Sequence, residues 1–242
     1  MRGRAVLGSV VVMLARFAVM AAVAWLAGSL GWYAGLVVNA VLSLMALALV
    51  HRRGLWGRLG GVRPPSRLAL LWLIPFGLDI ALWVVPHGLQ GKAPGFLPWA
   101  ATLLLVGLNE ELFVRGVVLD LLESAYTRVM AVVLSSCLFG LQHLSNLVLT
   151  DRGTLDVLEN VLLSGVHGLA YAAFMVRFRW IWPLVVVHGI ADFVKVLAAR
   201  PLPDVAIVAE HVGLLALAVA LLVTGRRRAS TDDDDAVPVA VA

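Results

Sequence analysis

The sequence predicts an all-α membrane protein, a polytopic bundle of about eight transmembrane helices. Of its 242 residues, 61% are hydrophobic and only 14% are charged, whereas a soluble domain carries about a quarter charged residues. The mean hydropathy is +0.94, and apolar runs of about 20 residues, the length of a membrane span, recur along the chain. This composition leaves no room for a separate soluble domain, so any chemistry must use side chains on membrane helices.

The apolar runs define the predicted spans, of which the third and sixth are the shortest. They lie at residues 5–30, 31–50, 68–86, 98–120, 129–150, 160–176, 180–199 and 205–224. The first run is too long for a typical secretory signal, so we expect an uncleaved span. The chain then divides into N-terminal helices (1–97) with a basic loop (51–67), a helical core (98–197), a last span (198–225) and a disordered tail (226–242).

The basic residues lie at the ends of these spans and predict a topology. If the N-terminus is cytoplasmic, most of the 19 Lys and Arg residues lie inside, in segments 1–4, 51–67, 121–128, 177–179 and 226–228. The positive-inside rule then places both termini in the cytoplasm. We therefore attribute the net charge of +4 to contact with a lipid bilayer, of the bacterial plasma-membrane type, and expect no nucleic-acid partner.

Ionisable residues inside the spans are the candidates for function, because each is costly in an apolar surround. One cysteine, Cys137, excludes an internal disulfide and a cysteine-based metal cluster. The candidates are Arg16, Asp79, Glu110, Glu111, Arg115, His143, His167, His188, Asp192, Lys195, Glu210 and His211.

The first pattern among them is a pair of glutamates in the fourth span. Glu111 and Arg115 stand four residues apart with the acid first, which favours an ion pair on one helix face. Glu110 points about 100° away from Glu111 and has no local partner. A carboxylate of this kind in an apolar environment is suited to act as a general base.

Two further patterns follow the same four-residue spacing. Phe139 and His143 share one face of the fifth span, and His188 and Asp192 share one face of the seventh. A lone histidine in such a position is more often a packed residue than a ligand, and Asp192 could simply orient His188. Three such patterns on three spans can converge on one polar pocket, and their joint occurrence is more specific than any one alone.

The order Glu110-Glu111-x-x-x-Arg115, Phe139-x-x-x-His143 and His188-x-x-x-Asp192 resembles the CPBP family of intramembrane proteases. This family comprises the type II CAAX prenyl endopeptidases and the bacterial Abi or bacteriocin-processing relatives. The resemblance covers roughly residues 98–197. It implies an endopeptidase acting on a peptide or membrane-protein substrate.

By the same resemblance, Glu110 and His143 activate the attacking water. His188 and Asp192 form the oxyanion site, supported by Glu111, Arg115 and Phe139. The CAAX endopeptidases usually carry Asn where this chain has Asp192, and an ionised carboxylate would repel an oxyanion. Asp192 must therefore be protonated, orient His188 or bind a cation.

The cation alternative leaves a metal-dependent mechanism open. No cofactor is certain from the sequence, but Zn²⁺ or another divalent metal could bind Glu110, His143 and His188. The His-Glu-x-x-His pattern of zincins is absent from the sequence.

Other functions and simpler roles also remain open. The chain could be a non-catalytic immunity or scaffold protein, or a small transporter, although no inverted repeat of broken spans is evident. Arg16 is expected to reach the head groups or to pair with Asp79. His167, between Gly165 and Gly168, is expected to lie in close helix packing. Lys195, Glu210 and His211 are expected at the membrane interface.

Overall fold

A computed structural model describes residues 1–61 and 66–234 of the chain, and over these residues all regular secondary structure is helical. This agrees with the predicted all-α class. The helices are α1 (Arg2–Ala27), α2 (Ala34–Arg52), α3 (Arg67–Leu71), α4 (Ile74–Val84), α5 (Phe96–Glu111), α6 (Leu119–Glu123), α7 (Arg128–Leu141), α8 (Asn146–Leu149), α9 (Thr154–Phe178), α10 (Trp182–Leu197) and α11 (Asp204–Asp234).

Local sequence signals explain several helix ends. Gly31 adopts a positive φ of 56° between α1 and α2, a conformation that glycine tolerates best. The side chains of Ser66 and Thr127 cap α3 and α7 by accepting a hydrogen bond from the backbone N–H three residues ahead. Pro183 lies in the first turn of α10, where a missing N–H costs nothing.

The structure does not confirm the count of eight spans. Within residues 1–61 and 66–234, five helical stretches are long and apolar enough to cross a membrane: Arg2–Arg52, Arg67–Val84, Arg128–Leu149, Thr154–Phe178 and Asp204–Thr224. The first contains both α1 and α2. The helical region from α5 to α6 carries several charged residues, and α10 has only 16 residues, short of the about 20 that a span needs.

Packing of the central helices brings the three predicted patterns together. Helix α5 packs between α2 and α10, and α9 packs between α7 and α11. Many large apolar side chains on the outside of the bundle remain exposed, as expected of surfaces that face lipid.

Glycines set the closest of these helix contacts. A Cβ atom added at Gly107 of α5 would lie 2.5 Å from the carbonyl oxygen of Val185 on α10, and one at Gly189 would lie 2.9 Å from Cα of Leu104. Small residues on both faces therefore allow the two backbones to approach. Gly140 plays the same role between α7 and α9, where an added Cβ would lie 2.5 Å from the carbonyl oxygen of Val161.

Parts of two predicted segments lie outside the described residues. These are residues 62–65 of the basic loop 51–67 and residues 235–242 of the tail 226–242. Helix α11 continues through Asp234 into the segment predicted to be a disordered tail.

Candidate active site

The paired glutamates lie at the end of α5, immediately before a change in helix geometry. Glu110 and Glu111 are both buried. The next seven residues, Leu112–Val118, form a π-helical segment that is buried throughout and contains Arg115. Such wide turns cost hydrogen-bond geometry and occur often at functional sites. No pattern in the sequence predicted this segment.

Glu110 has an ion-pair partner from a distant helix. Arg16 of α1 lies with Nη2 2.9 Å from Oε1 of Glu110, and the two side chains are only 5% and 10% exposed. The same guanidinium donates to Oδ1 of Asn109 at 2.9 and 3.3 Å and to Oε1 of Gln142 at 3.1 Å. Arg16 therefore neither extends to the head groups nor pairs with Asp79, and both expectations were wrong.

Glu111 joins the ion pair to the seventh predicted span. Its Oε1 atom lies 3.1 Å from Nη1 of Arg115, which confirms the predicted i,i+4 pair. The same oxygen lies 2.8 Å from Nδ1 of His188 on α10. A carboxylate bound to one ring nitrogen fixes the orientation of an imidazole, so Glu111, not Asp192, holds the Nδ1 side of His188.

Phe139 packs between the other members of the site. Its ring makes edge-to-face contacts with His143 at 5.6 Å and with His188 at 6.0 Å between ring centroids. The guanidinium carbon of Arg115 lies 4.1 Å from the centroid of the same ring, a cation–π distance. The predicted shared face of Phe139 and His143 is therefore confirmed.

The four predicted catalytic residues line one cavity of about 380 Å³: Glu110, His143, His188 and Asp192. Nε2 of His188 lies 3.5 Å from Oδ2 of Asp192 and 3.8 Å from Oε2 of Glu110. Nε2 of His143 is buried and has no hydrogen-bond partner among the described residues.

The charges of the predicted catalytic residues and their arginine partners nearly balance. Glu110, Glu111 and Asp192 carry three negative charges when ionised, while Arg16 and Arg115 carry two positive charges. Because isolated charges are costly in an apolar interior, a protonated His188 would complete the balance.

A second polar cluster lines another part of the same cavity. It contains His167, Lys195, Glu210 and His211, with Asp79 beside them. Nζ of Lys195 lies 2.8 Å from Oε1 of Glu210 and 2.9 Å from Nε2 of His167. Lys195, Glu210 and His211 line this cavity because α4, α9, α10 and α11 pack their polar positions towards each other. Their expected location at the membrane interface stays a prediction.

The conditional metal ligands remain a prediction. In the part of the chain that is described, the three metal-type ligands whose donor atoms all lie within 4.8 Å of one another are His167, Glu210 and His211. At the predicted set of Glu110, His143 and His188, the guanidinium of Arg16 already contacts the carboxylate.

Several contributors to the site were missed or misassigned by sequence reasoning. Asn109 and Gln142 adjoin the predicted motifs and hold Arg16. Tyr171 lines the cavity with its ring centroid 5.7 Å from that of His188. Polar residues beside a motif in an apolar span were the available signal for Asn109 and Gln142.

The described residues form a helical membrane bundle. Carboxylates, histidines and buried arginines surround a cavity inside it, which places the protein in the class of helical membrane proteins with an internal polar site. Residues 92–194 match the family model described as type II CAAX prenyl endopeptidase, Rce1-like. This match confirms the resemblance drawn from the three motifs, all of which lie within the matched residues. No curated protein sequence matches the chain.

Proposed function

We propose that the protein hydrolyses a peptide bond within the membrane, with Glu110 and His143 activating water and His188 stabilising the oxyanion. The observation that supports this most directly is that these three side chains, together with Asp192, line one cavity although they come from separate helical segments. The substrate is a peptide or membrane protein presented from the lipid bilayer.

Glu110 is suited to be the base. Arg16 contacts one of its oxygens, Oε1, at 2.9 Å and holds the carboxylate in place, while Oε2 faces His188 across the cavity at 3.8 Å. His143 offers a buried Nε2 atom without a partner among the described residues, which can bind the same water. Glu110 takes a proton as the water oxygen attacks the carbonyl carbon, and later delivers it to the departing amine.

His188 is suited to stabilise the charge that develops on the carbonyl oxygen. Its Nδ1 is held by Glu111, so Nε2 faces the cavity and can donate a hydrogen bond to the oxyanion. Asp192, 3.5 Å from Nε2, helps to hold the ring and its positive charge before substrate binds. In this proposal Asp192 releases Nε2 when substrate binds, so its carboxylate does not touch the oxyanion although the position carries Asp and not Asn.

The same contacts favour the glutamic over the metal-dependent type of protease. Arg16 contacts Oε1 of Glu110 and is held there by three residues, so a divalent cation bound to the other oxygen, Oε2, would lie beside a fixed positive charge. We therefore route no step of the proposed reaction through a metal at Glu110, His143 and His188.

The proposal is tested with protein purified in detergent and a panel of fluorogenic and prenylated peptides, with cleavage sites read by mass spectrometry. Glu110→Gln is expected to lower turnover by at least about 10²-fold, whereas Glu159→Gln, a change at an exposed glutamate of α9, should leave it unchanged. Equal turnover in Glu110→Gln and wild type would refute the assignment. A cellular phenotype that survives Glu110→Gln would favour the scaffold alternative.

We further propose that both termini face the cytoplasm of a bacterial-type plasma membrane. Supporting this, three predicted cytoplasmic segments meet at one end of the bundle: Asp120 pairs with Arg53 at 3.6 Å and with Arg58, and Glu123 pairs with Arg179 at 2.6 Å. Reporter fusions at residues 1 and 242 should both report a cytoplasmic location, and opposite locations would refute the topology.

A further inference from the structure

We propose that His167, Glu210 and His211, with Asp79 as a fourth ligand, form a binding site for a divalent cation of the Zn²⁺ type. This cluster is separate from the groups assigned to water activation. The donor atoms of the first three lie within 4.8 Å of one another. Two imidazoles and carboxylates are a ligand set that zinc accepts.

Both histidines present the same ring nitrogen to the cluster. Nδ1 of His167 lies 3.2 Å from the carbonyl oxygen of Leu163, and Nδ1 of His211 lies 2.6 Å from that of Ile207. A carbonyl oxygen can only accept, so Nδ1 carries the proton in each ring, and in the neutral ring Nε2 keeps its lone pair. Metal-bound histidines have this arrangement, in which a second group fixes the tautomer and the ring orientation.

The carboxylate of Glu210 is oriented in the same way. Its Oε2 accepts a hydrogen bond from the indole N–H of Trp83 at 2.9 Å. Its Oε1 lies 3.3 Å from Nε2 of His167. Oε2 is therefore held by Trp83, while Oε1, which a cation would bind, faces the imidazoles and contacts the ammonium of Lys195.

Two further groups point to a missing partner. The side chain of Asp79 is only 4% exposed, and neither of its oxygens has a hydrogen-bond partner in the described part of the chain. Its Oδ2 lies 3.8 Å from Nε2 of His167. Nε2 of His211 is also buried without a partner among the described residues. Buried polar atoms of this kind are uncommon, and a bound cation would satisfy both.

Lys195 is the resident cation of the cluster in this structure. Its ammonium contacts Glu210 and His167 at 2.8 and 2.9 Å and lies 3.9 Å from Asp79. One ammonium leaves one of the two carboxylates uncompensated, whereas a divalent ion matches both. The lysine side chain is 23% exposed and flexible, so it can swing aside and compete with the metal for the same ligands.

Because Lys195 competes with the metal, removing it should strengthen metal binding, and removing a ligand should weaken it. Chelator-treated, detergent-purified protein is titrated with Zn²⁺ by calorimetry and with Co²⁺ by visible absorption, which reports ligand geometry. We expect one ion per chain. His211→Ala and Glu210→Gln should each weaken binding by about 10-fold or more, and Lys195→Met should strengthen it by about 10-fold.

Controls separate this site from other histidines and from misfolding. His87→Ala removes an exposed histidine and should leave binding unchanged, and thermal unfolding in detergent should verify that each variant is folded. The proposal is overturned if neither wild type nor Lys195→Met binds one ion per chain, which would make the cluster an ion-pair network only. It is equally overturned if binding survives His211→Ala and Glu210→Gln but is lost in Glu110→Gln. Because binding is measured without substrate, this result does not depend on the proposed protease activity.

Discussion

Arg16 lies outside the matched residues 92–194 yet contacts Glu110, the proposed base. Replacing Arg16 therefore tests whether a residue outside the matched region supports the site. Arg16→Gln removes a cation that makes four hydrogen bonds to three residues. Breaking a buried ion pair costs about 3–5 kcal/mol, because the remaining charge is left without compensation. For a chain of this size, such a loss lowers Tm by on the order of 10 °C.

The same substitution should lower peptide cleavage, because Glu110 loses the ion pair that holds its carboxylate in position. Both quantities are measured on detergent-purified protein, Tm by thermal unfolding and turnover with the peptide that wild type cleaves. Arg4→Gln is the matched control, since Arg4 is an exposed arginine of the same helix. It should change neither quantity.

A double variant separates the stability of the ion pair from its role in catalysis. Arg16→Gln with Glu110→Gln buries no unpaired charge, so its Tm should lie above that of Arg16→Gln alone although it remains inactive. Wild-type Tm and turnover in Arg16→Gln would show that Arg16 supports neither the fold nor the site. A double variant as unstable as the single one would contradict the expected cost of breaking the ion pair, because the penalty would then not come from an uncompensated carboxylate.

Two further substitutions test the positioning of the site. Glu111→Gln weakens the contact that holds Nδ1 of His188 at 2.8 Å, and kcat should fall about 10- to 100-fold with little change in KM; an unchanged kcat would argue against a positioning role. Gly107→Ala places a Cβ 2.5 Å from the carbonyl oxygen of Val185 and should destabilise the bundle by about 1–3 kcal/mol, measured as a lower Tm. Gly77→Ala, which meets nothing within 4 Å, is the control, and equal Tm values for the two variants would contradict the proposed close approach.

The side-chain contacts that could be predicted from the sequence are those between residues of one helix, because helical spacing alone determines them. The i,i+4 rule correctly paired Glu111 with Arg115 at 3.1 Å and placed Phe139 against His143. Both relations depend only on helical periodicity. The all-α class was equally accessible, because composition and the length of apolar runs predict it without any knowledge of packing.

What could not be predicted depended on contacts between distant helices. Arg16 and Glu110 are 94 positions apart, and Glu111 and His188 are 77 apart. One sequence offers several carboxylates as partners for Arg16, and Asp79 was the wrong choice because helix packing, not sequence distance, selects the partner. The count of eight spans stays unconfirmed, because the run at 98–120 carries Glu110, Glu111 and Arg115 and is not among the five stretches that are long and apolar enough to cross a membrane.

The scarcity of charge in this chain explains why its polar residues form clusters. A carboxylate buried among apolar helices must find a cation or hydrogen-bond donors within reach, because lipid offers neither. Glu110 pairs with Arg16 of α1, and Glu111 pairs with Arg115 one turn along the same helical region. Glu210 pairs with Lys195 of α10. The pairs of Arg16 with Glu110 and of Lys195 with Glu210 each join two separate helices. The groups proposed for chemistry therefore also fix the helices around the cavity, and variants there must be judged by stability and turnover together.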